Sequence, residues 1–386
     1  MNKWLWLWLI FVAGWYLIPW WNKVYFLWDD IELLMRFRHP TVETFLASHQ
    51  YQFFPVFKLF YWLQVQLFGV NPAAFLSVSV GLHLINIYLV YLLINRLTKN
   101  NFLSFLSAVL VSFNKSYFTV IFWPTIQSNL LLTTFMLASF HFFCNLKNRF
   151  RKTTLLLLAS SILLGGLSFG FGVGAGFVFA IIAWLFWKKS RSRAATVATG
   201  AIAGIVSILL VILFSSSEIQ KDQIWQFSPI RIFNIIYFTL VGVSQAVISR
   251  FFLPGFVPSI HSPANIAIMI ILPATILFFF LRTIFVNRKQ PSILSPLFLF
   301  ISFTVIPYFI AALARSGPGA LGGLAERYIY LPFFAFILAL TYSLHLNGLK
   351  QIPSHRRLYP ILIGAAALIS LGHQITMYLE VNKLFL

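Results

Sequence analysis

Long apolar runs separated by short basic breaks dominate this chain. A membrane-spanning helix needs about 20 predominantly apolar residues, and roughly eleven segments read as spans. They fall near Trp4–Trp21, Pro72–Ile94, Phe102–Phe122, Thr125–Cys144, Thr154–Ser168, Val173–Trp187, Ala194–Phe214, Ala264–Phe285, Leu294–Ala314, Ile329–Leu346 and Tyr359–Tyr378. The first follows Lys3, is rich in Trp and lacks a small-residue cleavage site, so it reads as a retained span, not a secretory signal. Two further apolar segments carry too many polar side chains for a simple crossing. Phe53–Phe68 holds Lys58, Gln64 and Gln66, and Ile230–Phe252 holds Arg231, Gln245 and Arg250. Both are expected as helices lying in or dipping into the outer interface. The expectation is therefore an all-α, polytopic transmembrane bundle with outer-face interface helices. It forms one membrane-embedded domain over residues 1–386, with no soluble domain of any size and no internal repeat.

Composition sharpens this picture. Of 386 residues, 60% are hydrophobic and only 9% are charged, against roughly 25% charged in soluble domains. A soluble globular fold is excluded. The formal net charge is +20, from 28 Lys and Arg against 8 Asp and Glu. Those cations punctuate apolar runs and form no polar face, so they are expected as topology anchors, and nucleic acid is not an expected partner. With the amino terminus inside, the inner loops hold Lys3, Arg96, Lys99, Lys147, Arg149, Arg151, Lys152, Lys188, Lys189, Arg191 and Arg193. They also hold Arg282, Arg288, Lys289, Lys350, Arg356 and Arg357, and not one acid. All eight acids (Asp29, Asp30, Glu32, Glu43, Glu218, Asp222, Glu326 and Glu380) fall on the outer side. Acids contribute little to orientation, so this segregation is a separate observation, and carboxylate chemistry is expected on the outer face. The expected location is a plasma (inner) membrane, with a cytoplasmic amino terminus and an outer or periplasmic site. The lone cysteine, Cys144, excludes an intramolecular disulfide framework.

The first outer loop opens Trp28-Asp29-Asp30-Ile31-Glu32. Adjacent carboxylates repel, so a metal, a cationic partner or a shared proton must offset the repulsion. The plainer reading is that the acids start a helix, favourably placed at its positive end. The functional reading is a general base, with a divalent cation as candidate companion, facing a membrane-embedded substrate. Arg36, Arg38 and Lys58 follow on the same loop and its interface helix. Glu326-Arg327-Tyr328 precedes a late span, where an arginine can hold phosphate bidentately or simply snorkel to the interface. Outward acids beside outward cations at headgroup depth suit a lipid phosphate whose head undergoes substitution.

The order of these features resembles the GT-C class of integral-membrane glycosyltransferases, especially the protein O-mannosyltransferase-like and tetratricopeptide-bearing O-mannosyltransferase enzymes, without the repeats. Four stretches carry the likeness. They are Trp28-Asp29-Asp30, then Phe54-Pro55-Val56-Phe57-Lys58-Leu59-Phe60-Tyr61 with Leu67 to Pro72, then Leu82-His83-Leu84-Ile85-Asn86, and Ala325-Glu326-Arg327-Tyr328-Ile329-Tyr330-Leu331-Pro332. The resemblance implies a polyprenyl-phosphate (undecaprenyl or dolichyl) monosaccharide donor and inversion by direct displacement. It implies Asp29 as general base and Asp30 as its assistant, through Mg, Mn or Ca or by positioning the acceptor. Arg327 is implied on the departing phosphate, helped by Lys58, Arg36 or Arg38, with Glu326, Tyr328, Glu32 and His83 in support.

Departures from the family are clear. Phe54 stands where the family often has arginine, the outer turn at Trp123-Pro124 has no acid, and Gly170-Phe171-Gly172-Val173-Gly174 replaces a lysine–glutamate pair. The glycines at 170, 172, 174 and 176 are expected in close helix packing or a tight turn, since a phosphate loop needs a strand before it. His83, in mid-span, reads more readily as a packing or hydrogen-bonding residue than as a ligand. A transporter or flippase of lipid-linked saccharide is the alternative, and a scaffold subunit a third. Outer-surface acids and the lack of a repeat favour the enzyme.

Overall fold

The computed structural model describes residues 3–47, 53–214, 229–253, 263–315, 328–348 and 355–385. Among these the chain is helical, with no strand. In chain order the helices are α1 Lys3–Leu17, α2 Trp28–Arg36, α3 Val42–Leu46, α4 Pro55–Phe68, α5 Pro72–Thr98, α6 Asn101–Ser112 and α7 Tyr117–Phe122. There follow α8 Gln127–Asn148, α9 Lys152–Gly166, α10 Ala175–Phe186 and α11 Arg191–Phe214. The series ends with α12 Pro229–Phe252, α13 Pro263–Asn287, α14 Pro291–Arg315, α15 Tyr330–Leu346 and α16 His355–Phe385. Short 3-10 turns at Pro124–Ile126 and Gly170–Gly172 lead towards α8 and α10.

Six of the described helical stretches are long and apolar enough to cross a membrane: Pro72–Thr98, Pro124–Lys147, Arg191–Phe214, Pro229–Phe252, Ile270–Asn287 and Pro291–Leu313. Five more apolar helices have only 10–17 residues (α1, α6, α9, α10 and α15). The sequence led us to expect about eleven full spans, and the shortfall has local causes. The expected span 102–122 breaks at Phe113-Asn114, where extended backbone separates α6 from α7. The expected Val173–Trp187 is trimmed to Ala175–Phe186, starting after the glycine-bearing corner at 170–174, where Gly174 has φ +79°, while Thr154–Ser168 appears as a helix of the same 15 residues shifted to Lys152–Gly166. Large apolar side chains stay on the outside of many helices, as in Ile205, Leu209 and Ile212 of α11, while Thr196 and Ser207 of the same helix are buried. Water would penalise such an outward face and lipid does not. The helices are those of a membrane protein.

The chain forms two compact units, one of residues 6–89 and 119–223, the other of 1–5, 90–118 and 224–386. In the first, α8, α9, α10 and α11 pack successively. A Cβ on Gly176 of α10 would lie 2.2 Å from the Gly200 carbonyl oxygen of α11, so the glycines let two backbones touch. That is the close packing expected of this region. Gly172 likewise abuts the backbone of Gly165 and Gly166.

In the second unit, Tyr342 Oη donates to the Ile293 carbonyl at 2.9 Å, which sets α14 and α15 antiparallel. The helix α12 contains a π-helical stretch, Gly242–Ser249, and is long enough to cross a membrane, where an interface helix was expected. Its two ends nevertheless meet the same end of the α14–α15 pair. Arg231 donates to the Leu313 carbonyl at 3.1 Å, near the end of α14, and the Phe251 ring packs on Phe333 in the first turn of α15.

Candidate functional site

The acidic helix α2 begins the site, and its sequence explains its placement. Leu33 and Phe37 are buried with Phe54, Phe57, Tyr61, Phe75 and Leu131, whereas Ile31, Glu32, Met35 and Arg36 face outward. This amphipathic pattern lays α2 against α4, α5 and α8 instead of through them. Its first turn carries Asp29 and Asp30, and the two acids have different surroundings.

Asp30 is fully buried. Its Oδ2 accepts from the Leu27 backbone N–H at 2.9 Å, the return half of a capping box. Its Oδ1 accepts from the Thr125 backbone N–H at 2.7 Å and from the Thr125 hydroxyl. The Tyr61 hydroxyl donates to the Asp30 carbonyl at 3.3 Å. Burial pushes the Asp30 carboxyl up to about 6, with the hydrogen bonds from Thr125 and Leu27 opposing the rise. Two residues further along the chain, Gln127 accepts from Gln64 Nε2 at 2.8 Å and donates to Ser79 Oγ at 2.8 Å and to the Phe75 carbonyl at 3.0 Å. The start of α8 is thus tied to α2, α4 and α5 by polar bonds in an apolar setting, where leaving any of them unmade is costly.

Asp29 is partly exposed, and its carboxylate has no hydrogen bond or ion pair among the described residues. It is the acid of the pair whose oxygens are not engaged by protein donors among the described residues. The cations divide similarly. Arg36 pairs with Glu32 at 2.7 Å on the exposed face of α2, and Arg38 is exposed just beyond it. Lys58 is buried: its Nζ donates to the Thr44 carbonyl at 2.9 Å and the Ala47 carbonyl at 2.5 Å, and lies 6.0 Å from the Phe54 ring centroid. Lys58 thereby braces α3 against α4.

His83 is fully buried, edge-on to the Tyr16 ring at 5.4 Å. Asn86, three residues on, donates to the Leu130 carbonyl at 3.2 Å and accepts from Thr134 at 2.8 Å. Tyr328 is buried in the other unit, its ring 6.4 Å from Phe238. Glu326 and Arg327, together with Glu218 and Asp222, lie outside the described residues.

The residues do not fit the divalent cation that Asp29 and Asp30 suggested. Asp30 is closed off by three donors and lacks exposed surface, whereas Mg, Mn and Ca take several accessible oxygens. No group of three or more His, Cys, Asp or Glu able to hold a metal occurs among the described residues.

Sequence reasoning missed Thr125. The only signal was its place after Trp123-Pro124, in the turn noted for lacking an acid. That turn instead supplies two donors to an acid from elsewhere. The helix α8 separates this region from the basic loops: its 22 residues measure about 33 Å, with Thr125 just before one end and Lys147 in the last turn of the other. No known protein-family model matches the chain, and no curated protein is similar to it in sequence.

Proposed function

We propose that the chain is a GT-C-like inverting glycosyltransferase that moves a monosaccharide from a polyprenyl-phosphate donor to an acceptor hydroxyl at the outer membrane face. The observation that carries this reading is the division of labour in α2. Asp29 presents carboxylate oxygens not engaged by protein donors among the described residues, and Asp30 anchors the turn that holds it. A fixed, accessible carboxylate is what general-base chemistry requires.

In this reading Asp29 takes the proton from the acceptor hydroxyl. The acceptor oxygen bonds to the anomeric carbon as the bond from that carbon to the phosphate oxygen breaks, and the electron pair leaves with the polyprenyl phosphate. Negative charge grows on the leaving group, so fixed cations favour the transition state. Arg327 and the exposed Arg38 are the proposed partners of that phosphate. Arg36 is partly neutralised by Glu32, and Lys58 acts through the loop it braces.

The eleven-span threading belongs to the same proposal. The five short helices complete their crossings with the turns that flank them, and α12 lies in the outer interface. Its contacts with one end of the α14–α15 pair support that placement.

Purified protein in vesicles, given a polyprenyl-phosphate sugar, tests the reading. Asp29→Asn should abolish sugar release, by at least about a hundredfold, while the helical circular dichroism and thermal melt stay as in the wild type. Undiminished release by Asp29→Asn would remove Asp29 from the mechanism. Translocation of lipid-linked saccharide without any transfer would replace the enzyme by the transporter.

A further inference from the structure

At the end of the first unit remote from Asp29, two basic loops separated in sequence come together. The end of α8, the loop after it and the start of α9 carry Lys147, Arg149, Arg151 and Lys152, and the loop after α10 with the start of α11 carries Lys188, Lys189, Arg191 and Arg193. Ser192 Oγ donates to the Leu146 carbonyl, the Arg191 guanidinium lies 5.0 Å from the Phe150 ring centroid, and Phe143 packs on Trp187 at 4.6 Å. These contacts join the loops into one surface of eight cations. Arg149, Arg151, Lys152, Lys188, Lys189 and Arg191 are all exposed on it. No Asp or Glu occurs anywhere between Glu43 and Glu218, so neither loop carries a carboxylate of its own.

Topology alone would explain cations on each loop, but it does not require the loops to be bonded to each other. Like charges gathered this closely repel unless an anion sits among them. The backbone adds to the field: α9 and α11 both begin here, and the first turn of α9 has no side-chain cap, so its N–H groups point into the same patch.

The surface bordering the patch identifies the kind of anion. On α10, Ile181, Trp184 and Leu185 are 53%, 58% and 55% exposed, within two turns of Lys188. On α9, Leu156 and Leu157 are 67% and 50% exposed, about one turn from Lys152. A soluble anion has no use for such a border. An amphiphile with an anionic head and hydrocarbon tails matches both parts.

We propose that this joined surface of the 147–152 and 187–193 loops is a retention site for anionic phospholipid, with the phosphate head among the cations and the acyl chains along α9 and α10. The site is independent of the glycosyl-transfer reading and involves none of its residues.

The test titrates the purified full chain in mixed micelles with phosphatidylglycerol or phosphatidylcholine and counts retained lipid by native mass spectrometry. Phosphatidylglycerol should be held about tenfold or more tighter than phosphatidylcholine, and the preference should shrink as salt rises. Replacing Lys188, Lys189 and Arg191 by Gln should remove the preference. Neutralising Arg282, Arg288 and Lys289, a basic stretch of the other unit, should leave it intact. Should the triple variant fold poorly, the salt titration of the wild type still decides the matter. Equal retention of the two lipids, a preference indifferent to salt, or one that survives in a folded triple variant would each overturn the proposal. Displacement of phosphatidylglycerol by equimolar inorganic pyrophosphate would also overturn it, because the occupant would then be a soluble polyanion.

Discussion

At position 30 a carboxylate has no exposed surface and three donors around it, while its neighbour at position 29 is partly exposed. Adjacent identical residues thus acquire different chemistry from one turn of helix. The sequence displayed the pair but could not divide it, because the deciding partner, Thr125, lies 95 positions away. Thr125→Val should cost about 1–3 kcal/mol by removing one donor from a buried carboxylate, and Thr125→Ser should restore most of it. Thermal melts in detergent measure both. The acidity of Asp30 has a second consequence. Its folded pKa of about 6 exceeds the ordinary 3.8, so its contribution to stability is fully present below about pH 3.8 and is lost as pH rises through about 6. Melts between pH 4 and 7 should show this decline, and Asp30→Asn should flatten it.

At the scale of the element, the helices were largely legible and their ends were not. Hydropathy located each apolar segment, yet it could not foresee that Asn114 interrupts one expected span, or that the 170–174 corner trims the start of another. The glycine reading fared better. Small residues between apolar flanks suggested close approach, and Gly176 meets the backbone of Gly200 and Gly204. Gly176→Ala should therefore destabilise by about 1–3 kcal/mol or more, since backbone rather than a pliable side chain stands in the way. Gly81 of α5 has open space where a Cβ would lie. Gly81→Ala should be neutral or stabilising by up to about 1 kcal/mol. Matched thermal melts of the two variants separate tight packing from a general intolerance of the added methyl.

For the molecule as a whole, charge segregation was visible in the sequence, and the structure converts it into distance within one unit. Asp30 is bonded at the start of α8 and the basic loops follow its end, about 33 Å away. The lone cysteine, Cys144, is buried, so Cys144→Ser gives a background for placing single thiols. In sealed cells a membrane-impermeant maleimide should label Arg38→Cys from outside and Lys189→Cys only after permeabilisation. Labelling of both from one side would undo the threading. Arg327 lies outside the described residues. Its motif sits 297 positions from Asp30 in the chain, and local pattern carries no information about such a separation.

The bond from Asp30 to Thr125 also sets an order in time. At translation rates of roughly 5–20 residues per second, Thr125 follows Asp30 from the ribosome by roughly 5–20 s. Until then the carboxylate of Asp30 has only the Leu27 backbone N–H as a donor, with the Tyr61 hydroxyl on its carbonyl. A nascent chain stopped before Pro124 would carry both acids and lack the residue that tells them apart.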